Sequence, residues 1–188
     1  TELIVSAGNF PHSKDWSVAL QDLKKAIKSI VWPPGNASFI INPKRKGNGV
    51  KPIKEACMLS LKEFGWIVDG RKNPIQLDAV KPLSDGNLVG MEWETGNISS
   101  SHRSINRLLL GHRDHCLKGG ILIVPSKKFY QYLTDRVGNI TELEPYIGLW
   151  KTSATWKEGL LAILVVEHDG VDEKVELIKK GTDGRALV

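Results

Sequence analysis

Apolar positions along the chain follow two rhythms, one of three to four residues and one of two. Trp16, Leu20, Leu23, Ile27 and Ile30 recur at helical spacing, with Ser13 or Asp15 placed to cap the start. Pro33-Pro34-Gly35 closes that segment. Pro52 stands where a first helical residue tolerates proline, and Ile53, Ala56, Cys57, Leu61 and Phe64 form a stripe up to Gly65, a C-cap residue. Strand-like runs follow at Trp66–Asp69, Ile75–Val80 and Leu88–Glu94. Ser99–Arg113 reads as a helix capped by Ser99 or Ser100, with Ile105, Leu108 and Leu109 on one side. Gly119-Gly120 leads into Ile121–Pro125, a run that suits a central strand. Ser126 caps a short helix through Leu133, Leu160–Val166 is a buried strand, and Lys174–Ile178 a weaker one. These elements predict one domain over residues 1–188: an α/β fold, bordering on α+β, with a mixed central sheet of about five strands flanked by helices.

Composition narrows the setting. The 188 residues are 41% hydrophobic and 25% charged, the balance of a soluble globular chain large enough for a substantial core. The longest apolar run, Gly159–Val166, stops at Glu167, far short of a membrane span. The N-terminus has no charged start followed by an apolar signal core. Cys57 and Cys116 are too few for a disulfide framework, so the expectation is a cytoplasmic protein. A net charge of +5 suits a polyanionic partner. Much of it gathers in "NPKRKGNG", where Lys44, Arg45 and Lys46 sit in a Pro/Gly/Asn-rich loop. Such a loop is either simply solvated or a contact for DNA backbone phosphates.

The candidate chemistry lies in "GMEWET". Strand side chains alternate faces, so Glu92 and Glu94 project together while Met91 and Trp93 face the other way. Such a pair is either the solvated face of an edge strand or part of a site for a hard cation such as Mg²⁺. Asp78, in the preceding strand-like run, would come beside Glu92 if the "PLSDGN" turn joins the two runs as neighbours. Asp69 is a further candidate ligand. An aspartate facing a Glu-x-Glu strand is a divalent-metal pocket of the kind used in phosphodiester hydrolysis. It resembles the nuclease pattern PD-(D/E)xK, with Glu94 where the lysine usually stands. His112, His115 and Cys116 lack a fourth ligand at zinc-site spacing.

Longer stretches carry a more specific likeness. "GMEWETGNISSSHRSINRLLLG", "NGVKPIKEAC", "YLTDRVGNITELEPY" and "KGTDG" resemble segments of the BamHI family of type II restriction endonucleases. The shorter length suggests a compact isoschizomer within it. The resemblance implies a restriction-endonuclease core in which Asp78 and Glu92 bind metal and Glu94 acts on the attacking water. Asp69 falls where the family has a metal-site glutamate, on a shorter arm. The resemblance also implies that Lys54 lies close to the DNA, that Asn97, Ser99 and Arg103 read bases from the front of a helix, and that Asp135 and Arg136 read the outer base pair. Asp183 aligns with a segment approaching the minor groove; there Arg185 replaces an apolar residue and the sequence stops short of the family's C-terminal helix. The implied enzyme is a homodimer with its interface on Ser99–Arg113 and residues 139–149. It uses Mg²⁺, or Mn²⁺ in its place, and cuts the palindrome GGATCC after the first G to leave a four-base 5′ extension.

Side-chain chemistry agrees with this reading. Arginine pairs bidentately with guanine, aspartate accepts from cytosine, and asparagine or serine suits adenine. Arg136, Asp135 and Arg103 could read two G·C pairs, and Asn97 with Ser99 one A·T pair, which a two-fold axis doubles to a hexamer. The rivals are a structure-selective or repair nuclease on the same sheet, a DNA-binding protein that has lost hydrolysis, and an interaction protein with an acidic strand face. Cleavage of DNA of known sequence separates them.

Overall fold

The computed structural model describes residues 1–68, 70, 73, 75–114, 117–134 and 137–181. Among these, a five-stranded sheet has the order β1-β6-β5-β4-β3, built from β1 (Glu2–Ala7), β3 (Ala79–Pro82), β4 (Leu88–Trp93), β5 (Leu117–Pro125) and β6 (Gly159–Val166). The three central strands β6, β5 and β4 are parallel, and β1 and β3 run antiparallel at the edges. A small parallel pair joins β2 (Ile40–Ile41) to β7 (Gly170–Val171). The mixed sheet flanked by helices is the predicted architecture.

Helices cover both faces, so the central strands are apolar on both sides. Ile121 and Ile123 of β5 pack with α1 (Lys14–Lys28) and α2 (Lys51–Glu63), while Leu122 and Val124 pack with α3 (Ile98–Arg113) and α5 (Ile140–Ser153). Ser13 caps α1 by accepting from the Trp16 amide. Ser126 does the same for the short α4 (Lys127–Tyr130), through the Phe129 amide.

Several expectations shift. α3 begins at Ile98 and its cap is Asn97, whose side chain accepts from the Ser100 amide, rather than Ser99 or Ser100. The Ile75–Val80 run is a strand only from Ala79. Before that, the Asn73 side chain accepts from the Ile75 and Leu77 amides and donates to the Leu77 carbonyl, holding the chain in a loop. Trp66–Asp69 contributes only an isolated bridge, Ile67 to Val80, among its described residues. Gly119 and Gly120 lie inside β5 rather than ahead of it. A Cβ on Gly120 would come within 3.3 Å of Leu108 on α3, and one on Gly119 within 3.3 Å of Trp16 on α1, so missing side chains let helices approach from both sides. Lys174–Ile178 forms no strand. The chain pairs earlier, at β7, and then turns, with the Val175 amide donating to the Asp172 carbonyl. β1 and α5 are elements that the sequence patterns did not disclose.

The basic loop is tied down at its base. Asn48 is fully buried, and its side chain donates to the Asn42 and Tyr132 carbonyls and accepts from the Ile178 amide. The adjacent Gly49 amide donates to the Ile178 carbonyl at 2.8 Å. A Cβ on Gly49 would sit 2.0 Å from the Lys179 carbonyl oxygen, a backbone atom that cannot swing aside. Gly49→Ala should therefore cost about 2–3 kcal/mol, at the upper end of overpacking penalties. Chemical denaturation checks this, and a loss below about 0.5 kcal/mol would show that the 176–181 segment yields freely.

Candidate active site

β3 and β4 form a hairpin in which Ala79 lies opposite Met91 and Val80 opposite Gly90. Continuing the ladder by one residue sets Asp78 across from Glu92. β4 lies between β3 and β5, so the solvated-edge reading of the Glu-x-Glu pair does not hold, and Glu92 is only 5% exposed. The Trp93 amide donates to Asp78 Oδ2 at 2.8 Å, fixing that carboxylate to the neighbouring strand.

Like charges directly opposed on neighbouring strands destabilise a sheet. Here each acid has its own cation, delivered by a different helix. Lys54 of α2 places Nζ 2.7 Å from Asp78 Oδ1. Arg107 of α3 places Nη1 2.6 Å from Glu92 Oε1 and donates to the Gln76 carbonyl at 3.1 Å. Burial and then the Asp78 charge push the Glu92 carboxyl up to about 8, against the pull of Arg107. Glu94 follows the last residue of β4, and its amide still donates to Ile123 of β5. Its carboxylate accepts from Ser104 Oγ at 3.3 Å and from the Gly96 amide at 3.4 Å, and burial raises its pKa.

Asp78, Glu92, Glu94 and Lys54 are thus brought together. Asp69 lies outside the described residues. Among those described, no group of three or more His, Cys, Asp or Glu side chains is gathered closely enough to hold a metal ion. The donor set offered by Asp78 and Glu92 nevertheless fits a hard divalent cation. Mg²⁺ is commonly held by one or two carboxylates with water completing its shell, and a dication would offset the repulsion within this pair.

The residues expected to read bases follow directly. Asn97, Ser99 and Arg103 occupy the first turns of α3 and are exposed. Asn97 uses its carboxamide oxygen to cap the helix, and Arg103 Nη2 donates to Ser100 Oγ at 2.9 Å. Asp135, Arg136 and Asp183 lie outside the described residues. Next to the first two, Thr134 donates its amide to the Asn48 carbonyl at 2.8 Å, and Gly138 donates to the Gly96 carbonyl at 2.9 Å. Lys44, Arg45 and Lys46 form an exposed loop held by the Lys46 amide on the Gln131 carbonyl. His112 is occupied structurally, with Nδ1 2.8 Å from the Leu117 carbonyl and its ring stacked on Trp156.

Arg107 and Ser104 were missed by the sequence reading. Their signal was present: Ser100, Arg103, Ser104 and Arg107 recur every three or four residues, a polar stripe along one side of the helix.

Comparison with known proteins gives a consistent picture. Residues 1–185 match the family described as Restriction endonuclease BamHI. The type II restriction enzyme OkrAI of Oceanobacter kriegii is 48% identical over 192 residues, covering 99% of this chain and 96% of that protein. The type II restriction enzyme BamHI of Bacillus amyloliquefaciens is 38% identical over 180 residues, covering 88% of this chain and 81% of its own.

The Glu92 shift sets a pH dependence. Its folded-state pKa of about 8 lies above the ordinary 4.5, so the folded form binds the proton more tightly than the unfolded chain. That contribution to stability is complete below the unfolded value, declines as pH rises, and is gone above about 8. Glu92→Gln stays neutral throughout. In chelator, its melting temperature relative to the parent should therefore rise by roughly 5 °C or more between about pH 5 and pH 9. Calorimetric scans across that range check it, and a constant difference would contradict the shift.

Proposed function

The chain belongs to the BamHI family of restriction endonucleases and is a site-specific endonuclease acting on double-stranded DNA, and on that premise we propose that it is a homodimer cutting GGATCC after the first G with Mg²⁺. The observation that carries the proposal is the placement of Glu92 and Glu94 immediately before α3, whose first turns expose Asn97, Ser99 and Arg103. Residues for bond breaking and for base reading stand within one short stretch of chain, so binding in the major groove would bring a phosphodiester to the acids.

In this reading Asp78 and Glu92 bind the divalent ion, with Asp69 as a further candidate ligand. The ion, when bound, lowers the pKa of water and offsets charge on the leaving oxygen. Mn²⁺ suits the same oxygen ligands. Glu94, oriented by Ser104 and Gly96, takes the proton of the attacking water. Lys54, whose Nζ is already beside Asp78, lies close to the scissile phosphate. Arg136, Asp135 and Arg103 read two G·C pairs, and Asn97 with Ser99 one A·T pair, since the capping oxygen of Asn97 keeps a second lone pair for an adenine amino group. Asp183 approaches the minor groove, and Lys44, Arg45 and Lys46 contact backbone phosphates. A palindromic target calls for a two-fold protein. α3 and α5 expose Leu110, Tyr146 and Leu149, the last 61% accessible, and a second copy would cover them. Among the described residues no helix is long and apolar enough to cross a membrane; cytoplasmic DNA is the proposed substrate.

Digestion of plasmid DNA of known sequence with Mg²⁺, followed by sequencing of the ends, tests the reading. Ends confined to GGATCC and starting after the first G support it; scattered ends point to a nuclease of different selectivity. Asp78→Ala or Glu92→Ala should abolish cleavage and leave specific binding largely intact, whereas equal loss of both would assign these acids a structural role. Arg136→Ala should cost roughly 1–3 kcal/mol at the guanine it contacts and relax preference there. Neutralising Lys44, Arg45 and Lys46 should instead weaken binding to all sequences alike and flatten the salt dependence. Competition assays at two salt concentrations distinguish the two, and a loop variant with altered hexamer preference would refute the division.

A further inference from the structure

Arg107 belongs to no element of the reaction described above, yet it makes the shortest contact to the most buried acid of the site. Its Nη1 lies 2.6 Å from Glu92 Oε1, and the same nitrogen donates to the Gln76 carbonyl at 3.1 Å. Gln76 has a positive φ of 56°, a backbone conformation that a side-chain-bearing residue holds only when its surroundings enforce it. One guanidinium thus ties α3, the loop leading to Asp78, and the Glu92 strand together. The Glu92 side chain is 6% exposed, whereas that of Arg107 is 41% exposed, so the acid is fixed in the interior and the cation stands at the boundary with solvent. From this geometry, and resting on the reading of Glu92 as a metal ligand, we infer that Arg107 is a positioning residue that occupies the cation's place beside Glu92 in metal-free protein and competes with the divalent ion for that carboxylate.

The physical case rests on charge and on geometry. An ionised carboxylate buried opposite another carboxylate needs a positive charge close by, and without one it neutralises or moves. Arg107 provides that charge before any ion arrives, and it keeps Glu92 aimed at Asp78. When a dication enters, one Glu92 oxygen has two claimants, and the guanidinium, on its flexible stem near the surface, is the one able to withdraw. Holding the acids ready and lowering the affinity for metal are therefore two effects of one contact. Lys54 stands beside Asp78 in a comparable way, but from α2.

Binding of Mn²⁺ to the full chain without DNA, followed by electron paramagnetic resonance, tests the inference alongside thermal unfolding in chelator. Arg107→Gln should lower the melting temperature in chelator and yet bind Mn²⁺ more tightly, on the order of tenfold, because a positive charge within a few ångströms of the ion is gone. A dication gains twice what a proton gains from that loss, so proton competition at Glu92 does not reverse the sign. Arg107→Lys, which keeps the charge, should stay near the parent in Mn²⁺ affinity. A purely structural arginine predicts the opposite pairing, with lower melting temperature and weaker or unchanged Mn²⁺ binding in Arg107→Gln, and that result overturns the inference. Parent protein that binds Mn²⁺ no better than Glu92→Gln overturns the metal reading of Glu92 and this inference with it. The two failures are distinguishable because the second appears in the parent protein before any change at Arg107.

Discussion

Two carboxylates held face to face across neighbouring strands repel, and the pairing of β3 with β4 leaves Asp78 and Glu92 no other arrangement. The ladder that sets Ala79 opposite Met91 fixes their register. Val89, Met91 and Trp93 are buried on the opposite face, so a one-residue slip would put the acids into that core. The repulsion is met from outside the sheet, by Lys54 from one helix layer and Arg107 from the other. Both layers are therefore anchored to the same pair of carboxyl groups, and the site draws on parts of the fold far apart in sequence.

α3 shows how many constraints one helix then satisfies. Ile105 and Leu108 are fully buried against the sheet. Ser104 and Arg107 face the acids, and the first turns present Asn97, Ser99 and Arg103 outward next to Glu94. Leu110 is left exposed on a further side. A helix with four distinct faces can shift little without loosening at least one. Gly111 and Gly120 help to fix it: a Cβ at Gly111 would come within 2.7 Å of Leu117, and one at Gly120 within 3.3 Å of Leu108.

Much of this was legible from sequence because it rests on local rules. Helical spacing gave α1, α2 and α3, and Ser13 and Ser126 cap as their residue types suggest. The alternation around Glu92 gave β4, and the turn ahead of it gave the hairpin. What escaped depended on contacts between distant segments or on side chains overriding local pattern. β1 is a short stretch whose identity comes from pairing with β6, well over a hundred residues away. α5 contains Pro145 and Gly148, which weigh against a helix, although its Asn139–Glu142 capping box was readable. The run from Ile75 looks apolar enough for a strand, but the Asn73 side chain takes the Ile75 and Leu77 amides that a ladder would need. In the site, the acids announced themselves by spacing, while the contact of Arg107 with Glu92 required knowing how close α3 passes to β4.

The departure of Glu94 from the usual lysine has a counterpart elsewhere in the molecule. Where the PD-(D/E)xK pattern has a lysine, this strand carries a third acid, which alone would deepen the negative potential of the site. Lys54 compensates from α2: its Nζ is 2.7 Å from Asp78, and its charge lowers the pKa of both Glu92 and Glu94. The ammonium beside Asp78 comes from a helix, while the strand position holds a carboxylate whose pKa burial raises. Such a carboxylate is a stronger base than an exposed one and, unlike a lysine, takes up a proton without becoming a second positive charge beside a metal ion. A site with three acids thus needs cations from its flanks, and the two helix layers are where this fold supplies them.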